Sequence, residues 1–182
     1  MSDVSLRDCL EHWSVPANEE EELATADAIV THEFGNQKDP SGTTMDIVAL
    51  GVELHKRLKK PLICQYPGDE VVKRYGIEAA HVIKEHLLKP GEYLDTEEVN
   101  HQVAIKCAWE DWHRIIVCTH PHHMWRAGRN LEKHGITPLY PSYSPIFYDK
   151  RLFLSRPFLA TPLLFIPREI IARKLYLDRG LI

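Results

Sequence analysis

At 182 residues the chain is long enough to bury a two- or three-layer core as one domain. Its 44% hydrophobic and 26% charged residues are ordinary globular composition, which excludes a disordered or low-complexity chain. A formal net charge of −4 leaves no electrostatic footprint for nucleic acid, and the basic residues from Arg151 to Arg179 alternate with leucines and prolines as on a packed helix.

Residues 4 to 13 read as a short amphipathic helix with Val4, Leu6, Cys9, Leu10 and Trp13 on its apolar side. The opening residues carry acids and no apolar core, so they are expected not to form a signal peptide. Pro16 and the acidic run Glu19 to Glu22 make a solvated connection or a helix start. Residues 1–25 are thus expected to be a helical extension, and residues 26–182 a single α/β domain.

Ala28, Ile29 and Val30 form a continuous apolar run, as in a central parallel strand covered on both faces. The segment from His32 to Gly42 is rich in Gly, Asn, Asp and Pro and reads as a loop. Thr43 or Thr44 is positioned to cap a helix running to Lys59, with Ile47, Leu50, Leu54 and Leu58 as its stripe. Pro61 stops it, and LICQY is a second strand, which completes a βαβ unit. PGDE then turns and opens a further helix. IEAAHVIKEHLLK reads as helix up to Pro90 and Gly91, in competition with a short strand between Tyr75 and Glu85.

Asp95 followed by Glu98 makes a capping-box-like helix start, continued by Val99, Val103 and Cys107, with Trp109 and Trp112 closing the helix on the core. His113 to Thr119 is a strand, and Pro121 opens a helix that ends near His134 with Gly135 as its cap. ITPLYP is an edge-like strand because of Pro138. PSYSPIFYDK is an aromatic loop, and a last helix lies between Leu163 and Leu181, entered after Pro167. The alternation predicts a three-layer α/β sandwich around a mainly parallel sheet. PFLATPLLFIP, the most lipid-like stretch, is far short of the ~20 residues that span a bilayer. The four cysteines, Cys9, Cys64, Cys107 and Cys118, contain no CxxC pair and read as reduced core thiols of a cytoplasmic protein.

In a parallel sheet the loops leaving the strands' C-terminal ends share one edge. That rule gathers His32, Glu33 and Asn36, then Gln65, Gly68 and Asp69, then Thr119, His120, His122 and His123, then Tyr140, Ser142 and Tyr143. The helix from Pro121 offers unpaired N–H groups there, and Arg126, one turn in, has a fork suited to a phosphate or carboxylate. This points to an anion site over Thr119, Arg126 and the histidines His120, His122 and His123 that has no glycine-rich fingerprint. The plain alternative is that His122 and Arg126 solvate the helix, with Arg126 paired to an acid such as Glu98. A metal is the other candidate: His120, His122 and His123 could combine with His32 or Glu33, and a metal-assisted phosphoester hydrolase would use His32, Glu33 and His120 or His122. HPHH lacks the spacing that puts two imidazoles on one helical face. There is no GxSxG elbow, and Cys118 lies inside a strand, so nucleophilic catalysis has little basis. A third reading is a non-enzymatic interaction domain that binds a partner through Tyr140 to Tyr148 and Leu152 to Ile166.

The order ADAIV, DTEEV, IIVCTHPHHMWRAGRNLEKHGI and PREIIARKLYLDRGLI resembles the domain-of-unknown-function family that contains SanA, ElyC and YdcF. Thr96 and Glu98 match its T-x-E helix start, His123, Arg126 and Ala127 its H-x-x-R-A helix start, and Glu169 the glutamate that begins its last helix. The first half departs: Thr31, His32, Glu33 and Phe34 precede Gly35 where the family has a glycine cluster, and GTTMDIVAL lacks its arginine. The resemblance implies a Rossmann-like fold with a polar pocket at the sheet's C-terminal edge. For soluble members it implies nucleotide-like ligands such as S-adenosylmethionine. Thr96, Glu98, Thr119, His120, His123, Arg126, His32 and Glu33 are therefore the candidate ligand contacts, with Glu169 supporting them.

Overall fold

A computed structural model describes residues 4–34, 42–143, 148–150 and 159–182. Five strands, β1 (Ala28–Thr31), β2 (Leu62–Gln65), β3 (His81–Ile83), β4 (Arg114–Cys118) and β5 (Thr137–Leu139), form one sheet. Every pairing is parallel, in the order β3-β2-β1-β4-β5.

The continuous apolar runs become the central strands because both faces are covered. Ile29, Leu62, Cys64, Ile116 and Cys118 face α3 (Gly42–Leu58) and α4 (Gly68–Arg74), meeting Ile47, Val48, Val52 and Val71. Ala28, Val30, Ile63, Ile115 and Val117 face α5 (Thr96–Glu110) and α6 (Pro121–Lys133), meeting Val99, Val103, Ala127 and Leu131. The molecule is therefore a Rossmann-like three-layer α/β sandwich. All four cysteines are buried free thiols.

The remaining helices, α1 (Leu6–Glu11), α2 (Glu20–Leu23) and α7 (Pro162–Asp178), flank this core. Cys9 of α1, Trp125 of α6, and Tyr176 and Ile182 at the C-terminal end form a small core of their own. After α1 the chain covers the β5 edge. Asn18 N donates to Tyr140 O at 2.8 Å, and Tyr140 N donates to Asn18 Oδ1 at 2.6 Å. No helix among the described residues is long and apolar enough to cross a membrane.

Several expectations are corrected. The stretch IEAAHVIKEHLLK is not a helix: it holds β3, whose backbone pairs with β2 from Ile63↔His81 to Gln65↔Ile83. A sheet edge was available to it, and tertiary pairing overrides a helical periodicity of this length. Trp109 is 85% exposed and closes nothing. It stands two residues beyond Cys107, about 200° round the helix from the buried stripe, whereas Trp112 does pack on the core. The last helix is entered at Pro162, with Pro167 exposed inside it. Thr43 and Thr44 lie inside the first turn of α3 and do not cap it; Thr44 Oγ1 instead accepts from Phe34 N at 3.2 Å. The segments 35–41, 144–147 and 151–158, which include Asn36 and much of the two stretches of the interaction reading, lie outside the described residues.

Gly128 marks where α6 crosses the end of β5. A Cβ there would lie 1.9 Å from Tyr140 Oη and 2.8 Å from its Cζ. Alanine favours a helix over glycine by about 1 kcal/mol, but the ring cannot stay where it is. Gly128→Ala is therefore expected to destabilise the fold by about 1–3 kcal/mol in urea unfolding, as overpacking does. Tyr140→Phe in the same chain should recover part of that loss.

Candidate functional site

The chain reverses direction across the sheet between β1 and β4. From β1 it proceeds outward through β2 and β3, then returns to place β4 on the other side of β1. In an open α/β sheet, this switch point leaves a crevice at the C-terminal strand ends. A cavity of about 200 Å³ lies there, bounded by the residues that follow β1, by Gln65 at the end of β2, by the starts of α5 and α6 and by α7.

The strand-end wall comes from the first residues after β1. His32 N still donates to Cys118 O at 2.9 Å, so the ladder to β4 holds its backbone. Glu33 N donates to Gln65 Oε1 at 2.9 Å, which fixes the next residue to the end of β2. His32 is buried, its Nε2 has no hydrogen-bond partner, and its ring meets that of His123 edge-on at 6.2 Å. Burial, then the neighbouring His123 and the Arg126 cation, push its pKa down to about 3, so the imidazole is neutral at pH 7.

The helical wall is a closed polar network. Asp95 caps α5 by accepting from Glu98 N at 2.9 Å, which places Thr96 at the first helical position. His123 and Arg126, three residues apart on α6, share one face and reach across to α5 and α7. Arg126 Nε and Nη2 donate to Glu169 Oε1 and Oε2 at 2.8 and 2.9 Å, a two-pronged contact, while Nη1 donates to Thr96 Oγ1 at 2.8 Å. Thr96 Oγ1 lies 3.2 Å from His123 Nε2, and His123 Nδ1 lies 3.6 Å from Glu169 Oε2. Burial alone would raise the Glu169 carboxyl, yet Arg126 and His123 hold it well below the usual range. Burial followed by the field of Arg126 lowers His123, against the pull of Glu169.

Glu169 is shared. Arg173, fully buried, approaches the same Oε1 at 3.3 Å and donates to Cys9 O and His122 O at 3.1 Å each. Its guanidinium lies 4.2 Å from the Trp13 ring centre and 4.8 Å from that of Trp125. Tyr176 lies under the Arg126 guanidinium at 4.8 Å, and its hydroxyl accepts from Glu97 N at 2.8 Å. Two buried guanidiniums thus face one carboxylate.

Of the residues proposed from sequence, His32, Glu33, Thr96, His123 and Arg126 line one cavity. Glu98 does not. Two positions after Thr96, about 200° round α5, it accepts from Leu87 N at 2.8 Å and Gln102 Nε2 at 2.7 Å, with His86 at 3.3 Å. It ties down the connection before α5, and Arg126 pairs with Glu169 instead. Thr119 is buried away from the cavity, its N donating to Tyr143 Oη at 2.7 Å. His120 is the N-cap of α6 through Nδ1, which accepts from His122 N at 3.3 Å. Its ring stacks on Phe34 at 4.3 Å, and burial lowers its pKa to about 3. His122 turns to Tyr148 Oη at 2.7 Å. His120, His122 and His32 therefore do not surround one point, and no three metal-ligating side chains converge among the described residues. Asp69 is buried against Lys73 at 3.0 Å. Burial pushes the Cys64 thiol up to about 12 and the Cys118 thiol higher still, so neither is a nucleophile.

Sequence reasoning missed Arg173 and Tyr176. The signal was available in α7, where Phe165, Glu169, Arg173 and Tyr176 recur at spacings of four, four and three. The apolar residues of the same helix are no guide, because Leu163, Ile171 and Leu175 are exposed. Comparison with models of known protein families, with curated proteins and with solved structures finds no match in any of the three.

Removing one partner of a buried ion pair strands the other charge, at about 3–5 kcal/mol. Glu169→Ala, which strands two guanidiniums, is expected to destabilise by that order in urea unfolding; Arg126→Ala, which leaves Glu169 paired with Arg173, should cost less, and the Arg126→Met, Glu169→Leu pair less than the sum of its singles. The buried histidines add a pH dependence. Unfolded, His32 and His120 take up protons below about pH 6.5; folded, only below about pH 3. The unfolded chain thus binds more protons throughout that window. Stability is full above about pH 6.5 and falls as the pH drops toward 3. His120→Asn, which keeps a capping oxygen, should flatten that fall when unfolding is followed across this range.

Proposed function

We propose that this protein binds a small ligand with an anionic group, phosphorylated or nucleotide-like, in the cavity between the ends of β1 and β4. One observation carries the reading: the buried cluster beside the cavity holds Arg126 and Arg173 against the single carboxylate of Glu169. An anion entering on the Arg126 side of the cavity, away from Glu33, meets the excess positive charge of that cluster in a space where unpaired charge is costly. The start of α5 adds to the attraction, because Thr96 brings the positive end of a helix to the cavity. Arg168 also lines the cavity, from α7.

The resemblance to the SanA, ElyC and YdcF family supports the same location through Thr96, His123, Arg126 and Glu169. It also suggests S-adenosylmethionine as one nucleotide-like ligand. A cavity of about 200 Å³ lies below the ~300–1,000 Å³ that encloses a drug-sized molecule, so it accommodates the anionic end and a short body of such a ligand. The guanidinium of Arg126 is already forked onto Glu169, so its part is to hold Thr96 and the local charge in place and to offer its remaining N–H groups.

Thermal-shift measurements with adenosine monophosphate, ribose 5-phosphate and inorganic phosphate test this reading. Ligand binding to the folded state alone raises the melting temperature with concentration. At least one phosphorylated probe should do so for the wild type. Thr96→Val, which keeps the shape and removes the hydroxyl, should weaken the response by about tenfold in apparent affinity. A wild type indifferent to every phosphorylated probe would sink the assignment.

A further inference from the structure

His32 is placed for a ligand contact that the surrounding protein does not supply. Its backbone is pinned to β4 through Cys118 O, and the following residue is pinned to Gln65, so the ring is held at the cavity wall. The side chain is 2% exposed, and Nε2 has no partner. Buried polar atoms are as a rule hydrogen-bonded, and an orphan at a cavity wall marks where a ligand atom completes the set.

The chemistry of that atom follows from the ring. Burial keeps the imidazole uncharged at neutral pH. A neutral imidazole carries one N–H and one lone pair, whichever tautomer it adopts. A hydroxyl, which both donates and accepts, satisfies either tautomer; a carbonyl satisfies only one. A second anion here would meet Glu33, and a cation would meet Arg126. The cavity's size adds a limit, because about 200 Å³ is roughly seven times a water molecule's share of the liquid.

We infer that His32 receives a hydroxyl of the ligand, and that the ligand class is a short polyol phosphate whose phosphate sits by Thr96 and Arg126. His123 lies between the two ends, its ring 6.2 Å from that of His32 and its Nε2 3.2 Å from Thr96 Oγ1. The inference rests on the anion reading of the cavity and adds a requirement at its other end.

Isothermal titration calorimetry on the 182-residue chain tests it with paired probes. Glycerol 3-phosphate is compared with propyl phosphate, ribose 5-phosphate with pentyl phosphate, and inorganic phosphate serves as reference. The wild type should bind at least one hydroxylated member about tenfold tighter than its alkyl counterpart, because a site built to hydrogen-bond a hydroxyl rejects the analogue that lacks it. His32→Phe should bring that ratio close to one. Equal affinities within both pairs in the wild type, or a hydroxyl preference that survives His32→Phe, overturns the assignment to His32 while the anion site stands. Failure of every phosphate compound to bind removes the anion site and this inference together. If His32→Phe does not fold, the wild-type pairs still decide.

Discussion

The structure depends on one carboxylate, Glu169, held between two guanidiniums with almost no solvent around it. A charge in that position is tolerated only when every neighbour is in place, so its requirements propagate outward. Arg126 brings α6 and, through Thr96, the start of α5. Arg173 brings the carbonyl ends of Cys9 and His122 and the faces of Trp13 and Trp125. Four helices meet around a group whose burial would be prohibitive without them. The polar centre and the cavity adjoin: Arg126 and His123, which hold Glu169 from one side, also form part of the cavity's helical wall.

Much of the fold was legible because its determinants are local. AIV and IIVC are continuous apolar runs that only a two-sided sheet can cover, and Asp95, Pro121 and Gly135 mark helix ends through their own side chains or backbone. The failures share a cause. β3 is three residues long and owes its form to pairing with β2, which no local pattern in IEAAHVIKEHLLK encodes. No face of α7 was assigned from sequence, because a helix enclosing an ion pair turns charged residues inward and leaves leucines outside.

For the site, helical angle decided what spacing alone left open. Thr96 and Glu98 look like one motif in sequence, but two residues on a helix point to nearly opposite sides, and only Thr96 reaches Arg126. The same geometry separates His122 from His123. His120 looked like a third ligand and is instead the capping residue that allows α6 to start. The pairing of Arg126 with Glu169 joins residues 43 apart and has no local signature; the family resemblance suggested that glutamate where periodicity did not.

The hydrogen bonds between Asn18 and Tyr140 bear on how copies of this molecule can meet. They occupy backbone groups directly after β5, a strand already short of one donor at Pro138. The other border of the sheet, β3, carries no such cover among the described residues. A sheet with two open borders can add neighbours head to tail without limit, as fibres do. With one border partly occupied at its end and short of a donor at Pro138, the more open strand for addition is β3, meeting the β3 of a second copy. That contact is its own mirror in the two partners, closes on itself after two copies, and ends the chain of additions there.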